Sequence, residues 1–131
     1  MDFAALLAEG VDRWNGWRSH HPTIPCSLAG ADLSSGYFFE CDFKGVDLSG
    51  VSFRRACLIG ADFRWANLTG ADFSGAYLSE ANLTGARLND ANFVEANMEK
   101  TTLPNWHQMA AKDDVINPAA VEAKPLHSQS V

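Results

Sequence analysis

The chain has 131 residues and a net charge of −6, which suits one domain with a modest core and gives no overall basic surface for nucleic acid. Its three cysteines, Cys26, Cys41 and Cys57, form no CxxC pair, and no apolar stretch approaches the roughly 18 residues of a membrane span. We therefore expect reduced thiols in the cytoplasm, with no signal peptide, no membrane contact and no direct binding of nucleic acid.

The first predicted element is an amphipathic helix within residues 1–25. Five apolar side chains fall at helical spacing there: Leu6, Leu7, Val11, Trp14 and Trp17. One face of this helix is expected to pack against the segment that follows, with the two tryptophans lying over it.

A five-residue repeat occupies residues 26–103 without interruption. Every fifth position from Leu28 to Leu103 is Leu, Phe or Met, at all 16 positions. The position two residues earlier, from Cys26 to Thr101, is small or narrow at all 16 positions. Such regularity is very specific and is the strongest indication of the fold.

Period five fits neither a helix nor a continuous strand. Five residues turn an α-helix by about 500°, which scatters the large residues around it, and an odd spacing on a strand points them to alternate faces. A short extended piece followed by a bend places the small and the large residue on one inner side. Four bends close a square coil of 20 residues, and three close a triangle of 15. Gly30, Gly50 and Gly70 recur every 20 residues, which weakly favours the square in an all-β solenoid.

The motif A[DN][LF]xx, as in ADFRW (residues 61–65) and ANLTG (residues 81–85), resembles the pentapeptide repeat family. The resemblance covers residues 26–103 and implies a right-handed quadrilateral β-helix of about four coils, a rod of about 19 Å. The segment LLAEGVDRWNGWRSHHP also resembles N-terminal segments of pentapeptide repeat proteins. Residues 1–25 are therefore expected to form a helical cap on the first coil.

Residues 104–131 follow the repeat and are expected to form a short helix and a flexible tail. Pro104 breaks the register, and a helix would place Trp106 and Met109 over the last coil. From Ile116 onward the sequence is weakly periodic and contains Pro and Ala.

No catalytic or metal-binding constellation is found, so neither an enzyme nor a cofactor is expected. All four histidines lie outside the repeat, and the neighbouring pair His20 and His21 is not a metal site by itself. Asp or Asn recurs between the inner residues, as at Asp32 and Asn67. These side chains are expected to hydrogen-bond the backbone at the bends rather than to form paired carboxylates.

One face of the predicted square carries an unusual number of apolar residues on its outer side. It is centred on Phe38, Leu58, Leu78 and Met98, and we call it the aromatic face. The candidate protein-contact residues on it are Tyr37, Phe39, Ile59 and Tyr77. A contiguous exposed apolar patch usually marks a contact surface. The alternative is that the N-terminal helix or the C-terminal tail covers it.

Trp65 is a further candidate contact residue, at a different corner of the coil. It follows Arg64 and lies between Gly45 and Gly85 in the column of corner residues. It is expected either to bind a partner or to lie flat over the corner glycines.

The favoured function is a protein-interaction or scaffold module, with another protein or a second copy as partner. The alternative comes from the resemblance: quinolone-resistance members of the family resemble duplex DNA and bind DNA gyrase or topoisomerase IV. The repeat has ten acidic and six basic residues, a net charge of −4. Its short length, its uninterrupted register and its apolar face depart from that type.

Overall fold

The computed structural model describes residues 1–104, in which two helices precede a stack of coils. The helices are α1 (Phe3–Ala8) and α2 (Val11–His20). The predicted C-terminal helix and tail lie outside the described residues, apart from Pro104. Neither helix is long and apolar enough to cross a membrane, nor is any other within residues 1–104.

The coils stack in parallel with a register of 20 residues. Isolated β-bridges join each position to the one 20 residues later, from Ser27 with Asp47 to Asn82 with Thr102. The Asp47 N–H donates to the Cys26 carbonyl at 3.0 Å, and the Asp47 carbonyl accepts from the Leu28 N–H at 2.8 Å. Four pentapeptides therefore close one coil, and the predicted square is confirmed over the triangle.

Aromatic rings and leucines occupy the interior of the tube. Phe53, Phe73 and Phe93 stack along one face, with ring centroids 5.2 and 5.0 Å apart. Phe43 and Phe63 stack along the opposite face at 5.3 Å. Rings of the two sets contact each other edge to face; the Phe63 and Phe73 centroids, for example, are 5.7 Å apart with an interplanar angle of 89°. Edge-to-face and offset pairs are the favoured ring geometries, so the repeat register also sets a regular aromatic core.

Each corner is a tight turn that ends the extended piece. The Ala31 N–H donates to the Leu28 carbonyl at 3.0 Å, and Gly30 between them has a φ of +73°. A positive φ at the third turn residue is the mark of a type II turn and favours glycine. Eight corners nevertheless carry another residue in this conformation, namely Ser35, Glu40, Arg55, Trp65, Glu80, Asp90, Glu95 and Lys100.

The N-terminal segment forms two helices where the sequence predicted one. Gly10, with a φ of +114°, separates α1 from α2, because a chain in this conformation cannot continue an α-helix. Asp2 begins α1, since its carboxylate accepts the Ala5 N–H at 3.0 Å. The two helices still bury the predicted apolar residues Leu6, Leu7 and Trp14.

Side chains of α2 take the place of a missing coil above the first one. Asn15 donates from its amide to the Glu40 carbonyl at 3.1 Å and accepts the Asp42 N–H at 2.8 Å. The indole N–H of Trp14 donates to the Asp42 carbonyl at 2.8 Å. One coil lower, the Asp62 N–H donates to the Cys41 carbonyl and the Asp62 carbonyl accepts the Phe43 N–H, so Asn15 and Trp14 replace the bonds that a preceding coil would make to Asp42. The fully buried Trp14 ring lies 6.2 Å from that of Phe43, which confirms its predicted capping position.

Arg18 and Trp17 complete the cap. The buried guanidinium of Arg18 donates to the Lys44 carbonyl and lies 3.8 Å from the Asp42 carboxylate. Trp17 is partly buried and stacks on His21 at 4.4 Å. The cap therefore rests on Trp14 and Arg18, with Trp17 at its edge.

We expect Asn15→Asp to destabilise the protein by about 1–3 kcal/mol. The substitution keeps the acceptor for the Asp42 N–H but places a carboxylate oxygen against the Glu40 carbonyl. Urea unfolding followed by circular dichroism measures the change. Ser19→Ala, at an exposed position of the same helix, is the control and should stay within about 0.5 kcal/mol of wild type. Equal stability of the two variants would contradict the capping role.

We expect opposite effects from Gly30→Ala and Ser35→Gly at successive corners. Alanine at Gly30 has open space around it, so its cost is that of a positive φ, about 1 kcal/mol. Glycine at Ser35, where φ is +60°, relieves the same strain and should raise the unfolding free energy by several tenths of a kcal/mol. Urea midpoints at constant m-value report both, and shifts of the same sign would contradict the account of the corners.

Candidate protein-contact surface

The structure brings four of the five predicted contact residues together on the aromatic face. Parallel bridges join residue 37 to 57 and 57 to 77, so Tyr37 and Tyr77 are two coil spacings apart, about 10 Å. Phe39 and Ile59 form the adjacent column. Tyr37 is 78% exposed and Phe39 and Tyr77 are each 52% exposed, while Ile59 is half-buried.

The aromatic side chains are exposed because their neighbours fill the core. Phe38, Leu58 and Leu78 point inward and are buried. Successive side chains of an extended piece point to opposite sides, so Tyr37 and Tyr77 must point outward. Their exposure is a direct consequence of the register.

The N-terminal helices lie beside the aromatic face and leave it open. Between them is a shallow cleft of about 390 Å³, lined by Glu9, Gly10, Val11, Asp12, Tyr37 and Phe39. Both aromatic residues of this cleft remain more than half exposed. The C-terminal tail, the other predicted cover, lies outside the described residues.

Trp65 stands apart from the aromatic face. Its ring lies over Gly85, where a Cβ atom would come within 2.4 Å of the indole. The Arg64 guanidinium lies 5.5 Å from the ring centroid and is held by the Asp62 carboxylate at 2.8 and 2.9 Å. The ring therefore covers a corner glycine, which is one of its two predicted positions, although it is still 61% exposed.

The recurring Asp and Asn side chains stabilise the bends. In each case Oδ1 accepts the N–H two residues later, as from Ser34 to Asp32 at 3.1 Å. This confirms the prediction for Asp32, Asp42, Asp47, Asp62, Asn67, Asp72, Asn82, Asn92 and Asn97. Hydrogen bonds from the Ser34 hydroxyl and N–H lower the pKa of Asp32, and those from Ser49 lower the pKa of Asp47. Because their pKa values are lowered, these two carboxylates stay ionised and accept hydrogen bonds within the turns.

The thiols and the other polar groups offer no reactive cluster in the described part of the chain. Burial, together with the neighbouring Asp42 charge, raises the pKa of the Cys41 thiol, so this cysteine stays protonated. No group of three or more His, Cys, Asp or Glu side chains within residues 1–104 is placed to hold a metal ion.

Sequence reasoning missed the acidic residues that the cap brings to the aromatic face. Glu9 and Asp12 line the cleft beside Tyr37 and Phe39. They are distant in sequence from the repeat, and their position depends on the break at Gly10. The pattern of the repeat itself contains no signal for them.

These observations define a class of protein: a solenoid of square coils with a structural core and one exposed aromatic face. Within that class, the chain belongs to the pentapeptide repeat family. The family model "Pentapeptide repeats (8 copies)" matches residues 26–70 and 66–104, which together exceed half of the chain. No match is found among curated proteins.

Solved structures of the family share the fold. A pentapeptide repeat protein from the Arabidopsis thaliana thylakoid lumen is 36% identical with a TM-score of 0.61, over 66% of this chain and 59% of its own length. The chain thus spans less than two thirds of that protein. A pentapeptide repeat protein from Nostoc PCC 7120 is 28% identical with a TM-score of 0.61, over 73% of this chain and 86% of its own length. QnrB1, a plasmid-mediated fluoroquinolone resistance protein, is 24% identical over 59% of this chain and 55% of its own length, with a TM-score of 0.25.

We expect the double substitution Asp32→Asn with Asp47→Asn to flatten the acid dependence of stability. Both carboxyls have a lowered pKa in the folded state, so their stabilisation is present above the unfolded pKa of about 3.9 and is lost as the pH falls below it. Asparagine fits the position, since Asn67 accepts the Thr69 N–H and hydroxyl at 3.1 and 2.7 Å. Urea unfolding at pH 6 and pH 3 should show a smaller loss for the variant than for wild type. An unchanged loss would mean that these bonds do not depend on ionisation.

Proposed function

We propose that this protein is a non-enzymatic interaction module in which a rigid solenoid presents the aromatic face to another protein. The proposed solenoid is a right-handed quadrilateral β-helix, as membership of the family predicts. The proposed compartment is the cytoplasm, where the free cysteines Cys26, Cys41 and Cys57 would stay reduced. No cofactor takes part.

The exposure of Tyr37, Phe39 and Tyr77 on one face is the observation that carries the proposal. Each is more than half exposed, and together they form a contiguous patch with Ile59. Soluble proteins rarely expose such patches without a use, and tyrosine is enriched at binding surfaces because it combines a large apolar ring with a polar hydroxyl. The patch therefore supports binding of a protein partner.

The coil register favours binding because it fixes the backbone positions from which these side chains project before a partner arrives. The Phe38 N–H donates to the Cys57 carbonyl, and the Leu58 N–H donates to the Tyr77 carbonyl, both across 2.7 Å to the next coil. A preorganised surface loses little conformational entropy on association. The same rigidity gives a scaffold a constant spacing between contact residues.

DNA mimicry has weaker support. It rests on the net negative charge of the repeat, which is −4 over residues 26–103. Asp32, Asp47 and Asp62 use their oxygens within the turns, and the aromatic face interrupts the charged surface. A protein partner accounts for that face, whereas a DNA-like charge array does not.

We expect Tyr37→Ser with Tyr77→Ser to abolish partner binding without unfolding the protein. Both rings are exposed, so the unfolding free energy should change by about 1 kcal/mol or less. Affinity capture from the cells that make the protein, followed by mass spectrometry, compares proteins retained by wild type with those retained by the variant.

Val94→Ser is the matched control for this experiment. Val94 is 44% exposed on a different face, so the change removes exposed apolar surface elsewhere. The control should retain what wild type retains. If the tyrosine variant retains the same proteins, the aromatic face is not the contact surface; if it unfolds, the face has a structural role.

A further inference from the structure

The surroundings of the aromatic face carry an excess of carboxylates. Asp12 borders the cleft beside Tyr37, and Glu99 stands on the face in the last coil. We call the following exposed residues the acidic rim: Asp12, Glu40, Glu80, Glu95 and Glu99. Near them are the basic residues Arg13, Arg55 and Lys100. Arg13 is already paired with Glu9 at 3.1 Å, so it does not offset the rim.

The five rim carboxylates outnumber the nearby basic residues Arg55 and Lys100. Elsewhere on the rod, Asp62 is paired with Arg64 at 2.8 Å and Asp72 with Arg54 at 3.5 Å, while Asp32 and Asp47 are held by hydrogen bonds from Ser34 and Ser49. No ion pair among residues 1–104 includes a member of the acidic rim. Like charges gathered around an apolar patch repel one another, and a cation binding there relieves that repulsion.

Aromatic rings beside carboxylates favour a cationic side chain of a partner. The faces of the Tyr37, Phe39 and Tyr77 rings are negative and attract the guanidinium of Arg or the ammonium of Lys. The apolar stems of these cationic side chains can cover the rings while their charged ends reach the rim. Leu or Val of a partner would cover the remaining apolar area around Ile59.

The area of the aromatic face argues against a second copy as the occupant. Four coils span about 19 Å and the extended width of one side is about 13 Å, which gives about 250 Å². A stable interface between globular partners buries about 800 Å² per partner. Pairing two copies would also bring two acidic rims together.

We propose that the aromatic face, with its acidic rim, binds a short extended or helical segment of another protein that carries Arg or Lys beside aliphatic residues. A segment of this kind needs only a narrow surface, and its charge complements the rim. The cleft between Asp12 and Tyr37 receives one of its cationic side chains. This inference rests on the proposed function, because it names the chemistry of the partner at the same face.

Selection from a displayed library of random 12-residue peptides against the immobilised full chain tests the inference. Selected peptides should be enriched in Arg or Lys together with Leu, Ile or Val. Synthetic copies are then measured by fluorescence anisotropy against wild type and variants. Tyr37→Ser with Tyr77→Ser should weaken binding at least tenfold, and Asp12→Asn with Glu80→Gln should weaken it about tenfold at low salt.

Asp90→Asn is the matched control for charge. Asp90 is an exposed corner residue with a positive φ, as Glu80 is, but it lies at the opposite corner of the coil. This control should bind within twofold of wild type. Raising the salt concentration should narrow the difference between wild type and the carboxylate variant, because the rim acts through charge.

The outcomes separate the inference from the proposed function. Neutral or acidic peptides that still lose binding in the tyrosine variant would overturn the charge preference and leave the contact surface in place. Cationic peptides that bind the tyrosine variant as well as wild type would overturn both. If no selected peptide depends on Tyr37 and Tyr77 for binding, the proposal of a cationic segment is wrong. The affinity capture described above then decides whether the aromatic face binds a protein. A dimer in sedimentation that Tyr37→Ser dissociates would show that a second copy is the occupant.

Discussion

The parallel backbone hydrogen bonds between coils, in a register of 20 residues, are the constraint on which the rest of this structure depends. Each extended piece has a bridge of the kind that joins Ser27 to Asp47 and Asp47 to Asn67. An inserted residue that is not looped out at a corner would move the later inner side chains outward, because the inner and outer positions alternate. The uninterrupted pattern from Cys26 to Leu103 is what this constraint requires of the sequence.

A stack of this kind leaves backbone hydrogen-bonding groups exposed on its first coil. In this protein, side chains of the cap bond these groups, where a further coil would use its backbone. Asn15 accepts the Asp42 N–H and the Trp14 indole donates to the Asp42 carbonyl, which are the two bonds that a preceding coil would make to Asp42. Trp14 closes the end of the core above Phe43. A helix can therefore end a β-solenoid without matching its geometry, provided that its side chains supply the missing hydrogen bonds.

Much of this could be predicted from the spacing of residues, and the remainder depends on contacts that spacing does not encode. The inner residues, the corners and the turns of Asp32 and Asn67 follow from period five, because local geometry repeats with the sequence. The break at Gly10 was missed because the apolar spacing runs through it. The hydrogen bonds of Asn15 and the position of Asp12 beside Tyr37 join residues about 25 positions apart, so they follow from tertiary packing alone.

The difference between Asp and Glu in this chain follows from the same geometry. An Asp two residues before a bend, such as Asp47, reaches the N–H of Ser49 with its short side chain and is held there. A Glu at a corner, such as Glu80, is exposed and belongs to no ion pair of the described residues. Aspartates therefore contribute mainly to the fold, whereas corner glutamates remain free to meet a partner. In a repeat whose core is nearly invariant, these corner residues and the outward aromatics are where a binding preference can be encoded.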